Sequence, residues 1–277
     1  MKKITYQKDL TKFLYPSGGP GRELKNRLGN REVLLGAMIN EYSRPSLAKI
    51  YKEAGYDFLF IDYETLYFDF ESLSETVLAA RAFGLPPIAK TPQLERQEIA
   101  KLLAIGVVGI QLPRTESSDQ VKELVNYIKF PPNGTRPPDP KLGNSHNRPI
   151  SNWKQWMIDQ DMETTTVIHI ETKLGYKNAE DIIKTPGVDM VYVGPGDFSI
   201  EMGQPFDWAH PDVIKPLKEI LEICKKYNVP FGTTPSNIES ARDLINNGML
   251  FVEDGGELGF ITQGSKNLVE DYKNIID

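Results

Sequence analysis

The chain is short of the residues that build cysteine and histidine sites. Cys224 is the single cysteine among 277 residues, which excludes an internal disulfide and any cysteine-rich zinc or iron–sulfur centre and fits a reducing cytoplasm. Three histidines exclude a His-rich metal site as well, so any metal must be held by oxygen. No apolar run approaches the ~18 residues that a membrane span needs. Met1–Leu10 carries three lysines with no apolar segment behind them, so no secretory leader is expected. Basic residues do not dominate either: 32 Lys and Arg against 38 Asp and Glu leave a net charge of −6. Without a basic stripe to displace counterions, neither nucleic acid nor an anionic membrane is an expected partner. A dinucleotide fingerprint is missing too, because no Gly-x-Gly-x-x-Gly follows the first apolar run.

What is present is an alternation. The chain is 40% hydrophobic and 25% charged, ordinary for a globular protein with a sizeable core. Eight short apolar runs, Val33–Ile39, Phe58–Ile61, Pro87–Ala89, Val107–Leu112, Thr166–Ile170, Met190–Val193, Pro230–Gly232 and Leu250–Val252, read as strands buried on both faces. Between and after them the helical stretches are Pro45–Ala54, Phe70–Phe83, Leu94–Ile105, Ser118–Tyr127, Lys173–Lys184, Pro211–Tyr227, Asn237–Asn246 and Leu258–Ile276. Gly55, Gly106 and Gly248 each follow a helix and precede a strand, where a left-handed residue ends a helix cheaply. Eight strand–helix units in a chain near the usual ~250 residues predict a closed (β/α)8 TIM barrel, with an open doubly wound sheet as the structural alternative. The barrel is assigned to residues 24–277 and an N-terminal extension to residues 1–23. Six prolines between Phe130 and Pro149 predict an insertion at 130–150 with no regular element, serving as a surface linker, a lid or a subunit contact.

In barrels of this kind the chemistry sits where strands end, so the polar residues delivered there matter most. The second strand delivers Asp62 and Glu64, the third Lys90, the fourth Gln111 before Pro113-Arg114. The fifth carries His169 and Glu171, whose spacing of two puts both on one side. The sixth runs into Gly194-Pro195-Gly196-Asp197, the seventh into Thr233-Thr234, the eighth into Glu253-Asp254. Clustered carboxylates with one obvious cation, Lys90, would take up protons unless neutralised, and a divalent metal does this well. Oxygen ligands favour magnesium or manganese and also suit cobalt, with Glu171 and Asp197 as the candidate ligands. The plainer alternative is that each is an exposed loop acid, or for Asp197 a helix cap. Gly196 would let backbone N–H groups approach an anion, or would form a tight turn and nothing more; spacing alone does not choose.

The segments Gly55–Glu64, Gln111–Pro113, Phe130–Arg136, His169–Thr172 and Gly187–Ser199 come in an order and spacing that resembles the HpcH/HpaI aldolases, class II metal-dependent pyruvate aldolases. The similarity runs from about Leu24 to Tyr272. The resemblance implies a TIM barrel that assembles as a homo-oligomer, a hexamer built as a trimer of dimers, in which terminal helices exchange between neighbours. It implies that Glu171 and Asp197 bind Mg²⁺, Mn²⁺ or a similar ion. A small-molecule 2-oxo acid would chelate that ion, with Gly194, Pro195 and Gly196 forming the turn that holds its carboxylate. The metal would then stabilise a pyruvate enolate as a carbon–carbon bond breaks, an aldehyde being the second partner.

The departures from the family pattern carry their own information. Its histidine after the second-strand acids is Thr65 here, and its partner aspartate is Ala104, so a proton-handling dyad is absent. A threonine hydroxyl does not replace an imidazole as general base. Its substrate arginine is Lys90, which keeps the charge but loses the bidentate fork. His169 shares a face with Glu171 and is read either as the acid/base or as a group that positions a neighbour. Lys90 is expected at the keto oxygen, with a Schiff base as the lesser alternative because nearby carboxylates hold its pKa up. Asp62, Glu64 and Thr65 are expected to order metal-bound waters. Arg114 and Arg136 are expected at the far end of an anionic substrate, or else on a solvated surface. The expected activity is a cytoplasmic metal-dependent carbon–carbon lyase. The alternatives are an oxaloacetate- or phosphoenolpyruvate-using decarboxylase or bond-forming enzyme, or a non-catalytic relative that binds an oxo acid.

Overall fold

A computed structural model describes residues 18–67, 69–140, 142–145 and 149–276; residues 1–17 of the expected extension lie outside the described residues. Eight parallel strands close in chain order, which excludes the open sheet: β1 (Leu34–Ile39), β2 (Phe58–Asp62), β3 (Pro87–Lys90), β4 (Gly109–Leu112), β5 (Thr165–Ile170), β6 (Met190–Val193), β7 (Phe231–Thr233) and β8 (Phe251–Gly256). Leu34 beside Phe251 closes the ring. The helices are α1 (Pro20–Gly29), α2 (Pro45–Ala54), α3 (Phe70–Phe83), α4 (Arg96–Ile105), α5 (Ser118–Ile128), α6 (Leu142–Ser145), α7 (Trp153–Glu163), α8 (Lys173–Lys177), α9 (Ala179–Ile183), α10 (Pro195–Glu201), α11 (Pro211–Tyr227), α12 (Ile238–Asn247) and α13 (Glu257–Ile276).

Local chemistry explains the boundaries. Pro45 and Pro211 open α2 and α11, where the missing N–H costs nothing. Asp69 caps α3 by accepting from the Ser72 amide, and Ser117 with Gln120 forms a capping box on α5. Gly55, Gly106 and Gly248 take φ of 102°, 110° and 113° and turn the chain into the next strand. The single helix expected over Lys173–Lys184 divides at Asn178, whose backbone leaves the helical region at φ −97° and ψ 7° and whose side-chain amide donates to the Glu116 carbonyl at 2.7 Å.

Two apolar cores result. One lies between strands and outer helices; the other fills the barrel with Leu34, Phe58, Phe60, Ile88, Val167, Met190, Tyr192 and Phe251, closed from below by Leu24 and Leu28 of α1. Large and small residues alternate inside. A Cβ on Gly36 would lie 2.3 Å from the Phe58 ring, and one on Gly232 2.3 Å from the Phe251 ring. At roughly 1.5–3 kcal/mol per fully buried large apolar side chain, this inner layer is a main source of stability.

Two expectations change. Residues 20–23 form the first turn of α1, tied to the barrel because the Gly21 N–H donates to Glu163 Oε2 at 2.8 Å. The proline-rich interval holds the one-turn helix α6, packed against the end of α4 so closely that a Cβ on Gly143 would meet the Ile105 carbonyl at 1.8 Å. Its described part follows α5 to the amino ends of the strands, so it is not a lid over their carboxyl ends.

Candidate active site

The strands that fill the barrel with apolar side chains turn polar two residues later. Registers Asp62↔Lys90↔Gln111 and His169↔Tyr192 set these groups at the carboxyl ends of adjacent strands. Lys90 ends β3, is 7% exposed and forms an ion pair with Glu64 Oε2. Burial works against its charge, but Glu171, Glu64 and Asp62 outweigh that and hold the ammonium above its ordinary pKa. A permanently protonated amine does not attack a keto group, so this environment opposes the Schiff-base alternative.

Glu171 follows β5 and is 2% exposed. Its Oε1 accepts the Arg114 N–H at 2.8 Å. Its Oε2 lies 3.0 Å from His169 Nε2 but outside hydrogen-bond geometry, so both atoms are buried without a hydrogen-bond partner. Burial alone would raise this carboxyl; the His169 ring, Lys90 and the Arg114 amide reverse that and bring it down to about 2. An ionised carboxylate with one oxygen anchored and the other orphaned is a ready cation ligand. Glycine is required beside it, because a Cβ on Gly194 would stand 2.0 Å from His169 Nε2 and 3.1 Å from Glu171 Oε2.

Asp197 is the third residue of α10 and is exposed, as the plainer reading of it has it; the cap position belongs to Gly194, so the capping alternative does not apply. A Cβ on Gly196 would meet nothing within 4 Å, which leaves open space beside this turn. Among the described residues no three His, Cys, Asp or Glu side chains gather as a ready-made metal cage. Two carboxylates suit an ion that keeps water or substrate in its other positions.

The remaining expected residues divide. Asp62 accepts from the Glu64 and Thr65 amides at 3.1 and 3.3 Å and from Thr65 Oγ1 at 2.8 Å, a turn that sets Glu64 against Lys90. Arg114 takes a left-handed φ of 47°; its amide serves Glu171 while its exposed guanidinium lies 3.7 Å from Glu201. Arg136 is elsewhere. It is 4% exposed at the amino end of β5, donating to Thr164 Oγ1 at 3.1 Å and lying over the Phe130 ring, so it does not reach this site. Burial has drawn it into the proline-rich packing.

Three further groups complete the upper barrel interior. Gln111 Nε2 donates at 3.3 Å to both oxygens of fully buried Glu253. The Tyr192 ring meets His169 edge-on at 4.8 Å, and its hydroxyl pairs with Thr234 Oγ1 at 2.7 Å. Period-two alternation offered a signal: Gln111 lies two residues from Gly109 and Glu253 two from Phe251, both inward positions. β8 continues to Gly256 rather than stopping at Val252, which carries Glu253 inside.

The family model of the HpcH/HpaI aldolases and citrate lyases matches residues 39–263. A 5-keto-4-deoxy-D-glucarate aldolase from Salmonella arizonae is 26% identical over 252 residues, covering 91% of this chain and 96% of that protein. An HpcH/HpaI aldolase from Desulfitobacterium hafniense superposes with a TM-score of 0.85 at 25% identity, over 90% of this chain and 96% of that one. The citrate synthase SbnG shares the fold, with a TM-score of 0.82 at 23% identity over 92% and 99%.

Proposed function

The chain is a member of the HpcH/HpaI aldolase/citrate lyase family and a lyase of the aldolase type, and from that premise we propose that its substrate is a 2-oxo acid, cleaved through a pyruvate enolate with release of an aldehyde. One observation carries this reading: Glu171 is ionised and buried, with one oxygen fixed by the Arg114 amide and the other orphaned within electrostatic reach of Lys90. A divalent ion held by Glu171 and Asp197, magnesium or manganese with cobalt also suited, would supply Lewis acidity toward the substrate's keto oxygen.

The chain's own groups do the rest. Backbone amides at Gly196 and Asp197, beside open space, would hold the carboxylate of the oxo acid, with Gly194 and Pro195 shaping the turn. Lys90, kept as an ammonium, would face the oxygen that gains charge when the carbon–carbon bond breaks. Glu64, positioned by the Asp62–Thr65 turn, would keep that ammonium in place. His169, wedged between Tyr192 and Gly194, would take the proton-handling role or orient Glu171. The exposed Arg114 side chain would meet the far end of an anionic substrate. Chelation should abolish turnover and Mg²⁺ or Mn²⁺ restore it; full activity of Glu171→Gln in chelator would overturn the mechanism.

Thr65 at the position of the family's histidine favours a second reading at the same site. Oxaloacetate reaches the enolate by losing CO₂, and phosphoenolpyruvate by transfer of its phosphoryl group to water, neither of which removes a substrate hydroxyl proton; either enolate can then be protonated or form a carbon–carbon bond. Incubating the enzyme with pyruvate, oxaloacetate or phosphoenolpyruvate and several aldehydes separates the two by mass spectrometry: aldol products from pyruvate support the first reading, and turnover of oxaloacetate alone supports the second.

Assembly belongs to the same proposal. α13 leaves Leu258, Phe260, Ile261, Leu268, Val269, Tyr272, Ile275 and Ile276 exposed, an apolar surface that exchange of this helix within a homo-oligomer would bury. Light scattering should return a hexamer, and a monomer would refute this part. Buried, unpaired Cys224 accords with a reducing compartment such as the cytoplasm.

A further inference from the structure

Glu253 is the buried acid that the reading above leaves unused. It stands third in β8, fully buried, on the inward face directly after Phe251. Its carboxyl meets the Gln111 amide at 3.3 Å on both oxygens. The facing groups come from several strands: Lys90 on β3, Asp62 on β2, Gln111 on β4 and Tyr192 on β6, with Thr234 just after β7 bonded to its main-chain carbonyl. Lys90 is committed to Glu64 at the rim.

A carboxylate buried against one amide and touching no cation is poorly compensated. The protonated form fits better. Gln111 Oε1 is itself buried without a partner, and it is the acceptor that a carboxylic O–H requires. A slight turn of the amide lets acid and amide exchange two hydrogen bonds, O–H to Oε1 and Nε2–H to the carboxyl oxygen. We propose that Glu253 is a proton-holding residue of this site, a neutral acid paired with the Gln111 amide, and that an anionic oxo acid binds beside Lys90 only while that proton is in place. This rests on the oxo-acid reading given above. Glu253 acts through Lys90 and is a positioning residue: its ionisation would add a negative charge beneath Asp62, Glu64 and Glu171, draw the ammonium inward and repel the substrate.

The sign follows from its surroundings. Burial raises this carboxyl, opposed by Gln111 and Lys90 and assisted by Asp62, up to about 8. The proton is therefore present at neutral pH and lost above that value.

Calorimetric titration with oxalate and Mn²⁺, from about pH 6 to about pH 10, tests the coupling. In the wild-type chain the dissociation constant should climb about tenfold per pH unit above about 8, one proton being linked to binding. Glu253→Gln, which cannot ionise, should lose that climb. Infrared spectra supply a readout independent of ligand: the C=O stretch of a protonated carboxylic acid should be present at neutral pH, vanish as pH passes 8 and be missing in Glu253→Gln. The wild-type spectrum alone decides protonation should the variant fail to fold, because absence of that band overturns the proposal. Oxalate binding with the same pH dependence in both chains overturns the coupling while leaving the oxo-acid reading intact. Failure of oxalate to bind at every pH overturns both.

Discussion

The lower and upper halves of the barrel interior are made by the same strands and are opposites in chemistry. β3 contributes Ile88 below and Lys90 above; β5 contributes Val167, then His169; β8 contributes Phe251, then Glu253. The lower half is closed by Leu24 and Leu28 and padded where Gly36 and Gly232 admit phenylalanine rings. The upper half contains a cation, two acids of opposite protonation and several orphaned polar atoms. The difference teaches where stability and function are stored. A rigid apolar plug offsets the cost of polar groups that would not be kept for stability alone.

Breaking the lower half should give the largest effect. Phe251→Ala removes a fully buried ring stacked on Tyr192, and denaturant unfolding should report a loss of about 3–5 kcal/mol. Lys90→Met tests the upper half. It should fold, but lower kcat/KM on the order of 100-fold, about 2.7 kcal/mol, because the groups facing the developing oxyanion lose their charge.

Two glycine substitutions sharpen the contrast. Gly36→Ala and Gly194→Ala each place a methyl within 2.3 Å of another side chain, and each should cost about 1–3 kcal/mol by thermal unfolding. Only Gly194→Ala, which strikes His169, should also weaken Mn²⁺ binding; equal effects of both on metal affinity would erase the distinction.

The pH dependence of stability in chelator separates the two acids. Glu171 is depressed from 4.5 to about 2, so its contribution is complete above about pH 4.5 and lost as pH falls toward 2. Glu253 is raised from 4.5 to about 8, so its contribution is complete below about pH 4.5 and lost as pH climbs to 8. Urea midpoints should show Glu171→Gln flattening the acid limb and Glu253→Gln flattening the decline between about pH 4.5 and 8.

Most of the architecture was legible because local signals agree with the fold. Pro45–Ala54, Phe70–Phe83, Met190–Val193 and Pro211–Tyr227 end where they were expected, at prolines, Asp69 and residues that take the left-handed conformation, Gly55 among them. α7 was not foreseen because Trp153–Glu163 carries no one-sided apolar stripe, and α1 because its start is hidden in Gly18-Gly19-Pro20-Gly21. In the site, the period of β5 places His169 and Glu171 together, but no linear spacing says that Gln111 of β4 meets Glu253 across the barrel. Arg136 shows the converse: its neighbours in sequence are legible, yet which end of the barrel they pack against depends on how the chain leaves α5.

The account turns on the upper half being a metal-assisted oxo-acid site, and Mn²⁺ binding read by electron paramagnetic resonance, with and without oxalate, tests it most directly. The wild-type chain should bind Mn²⁺, oxalate should tighten that binding, and Glu171→Gln should lose affinity by at least about 100-fold. Equal Mn²⁺ affinity in the two chains, or binding indifferent to oxalate, would contradict it.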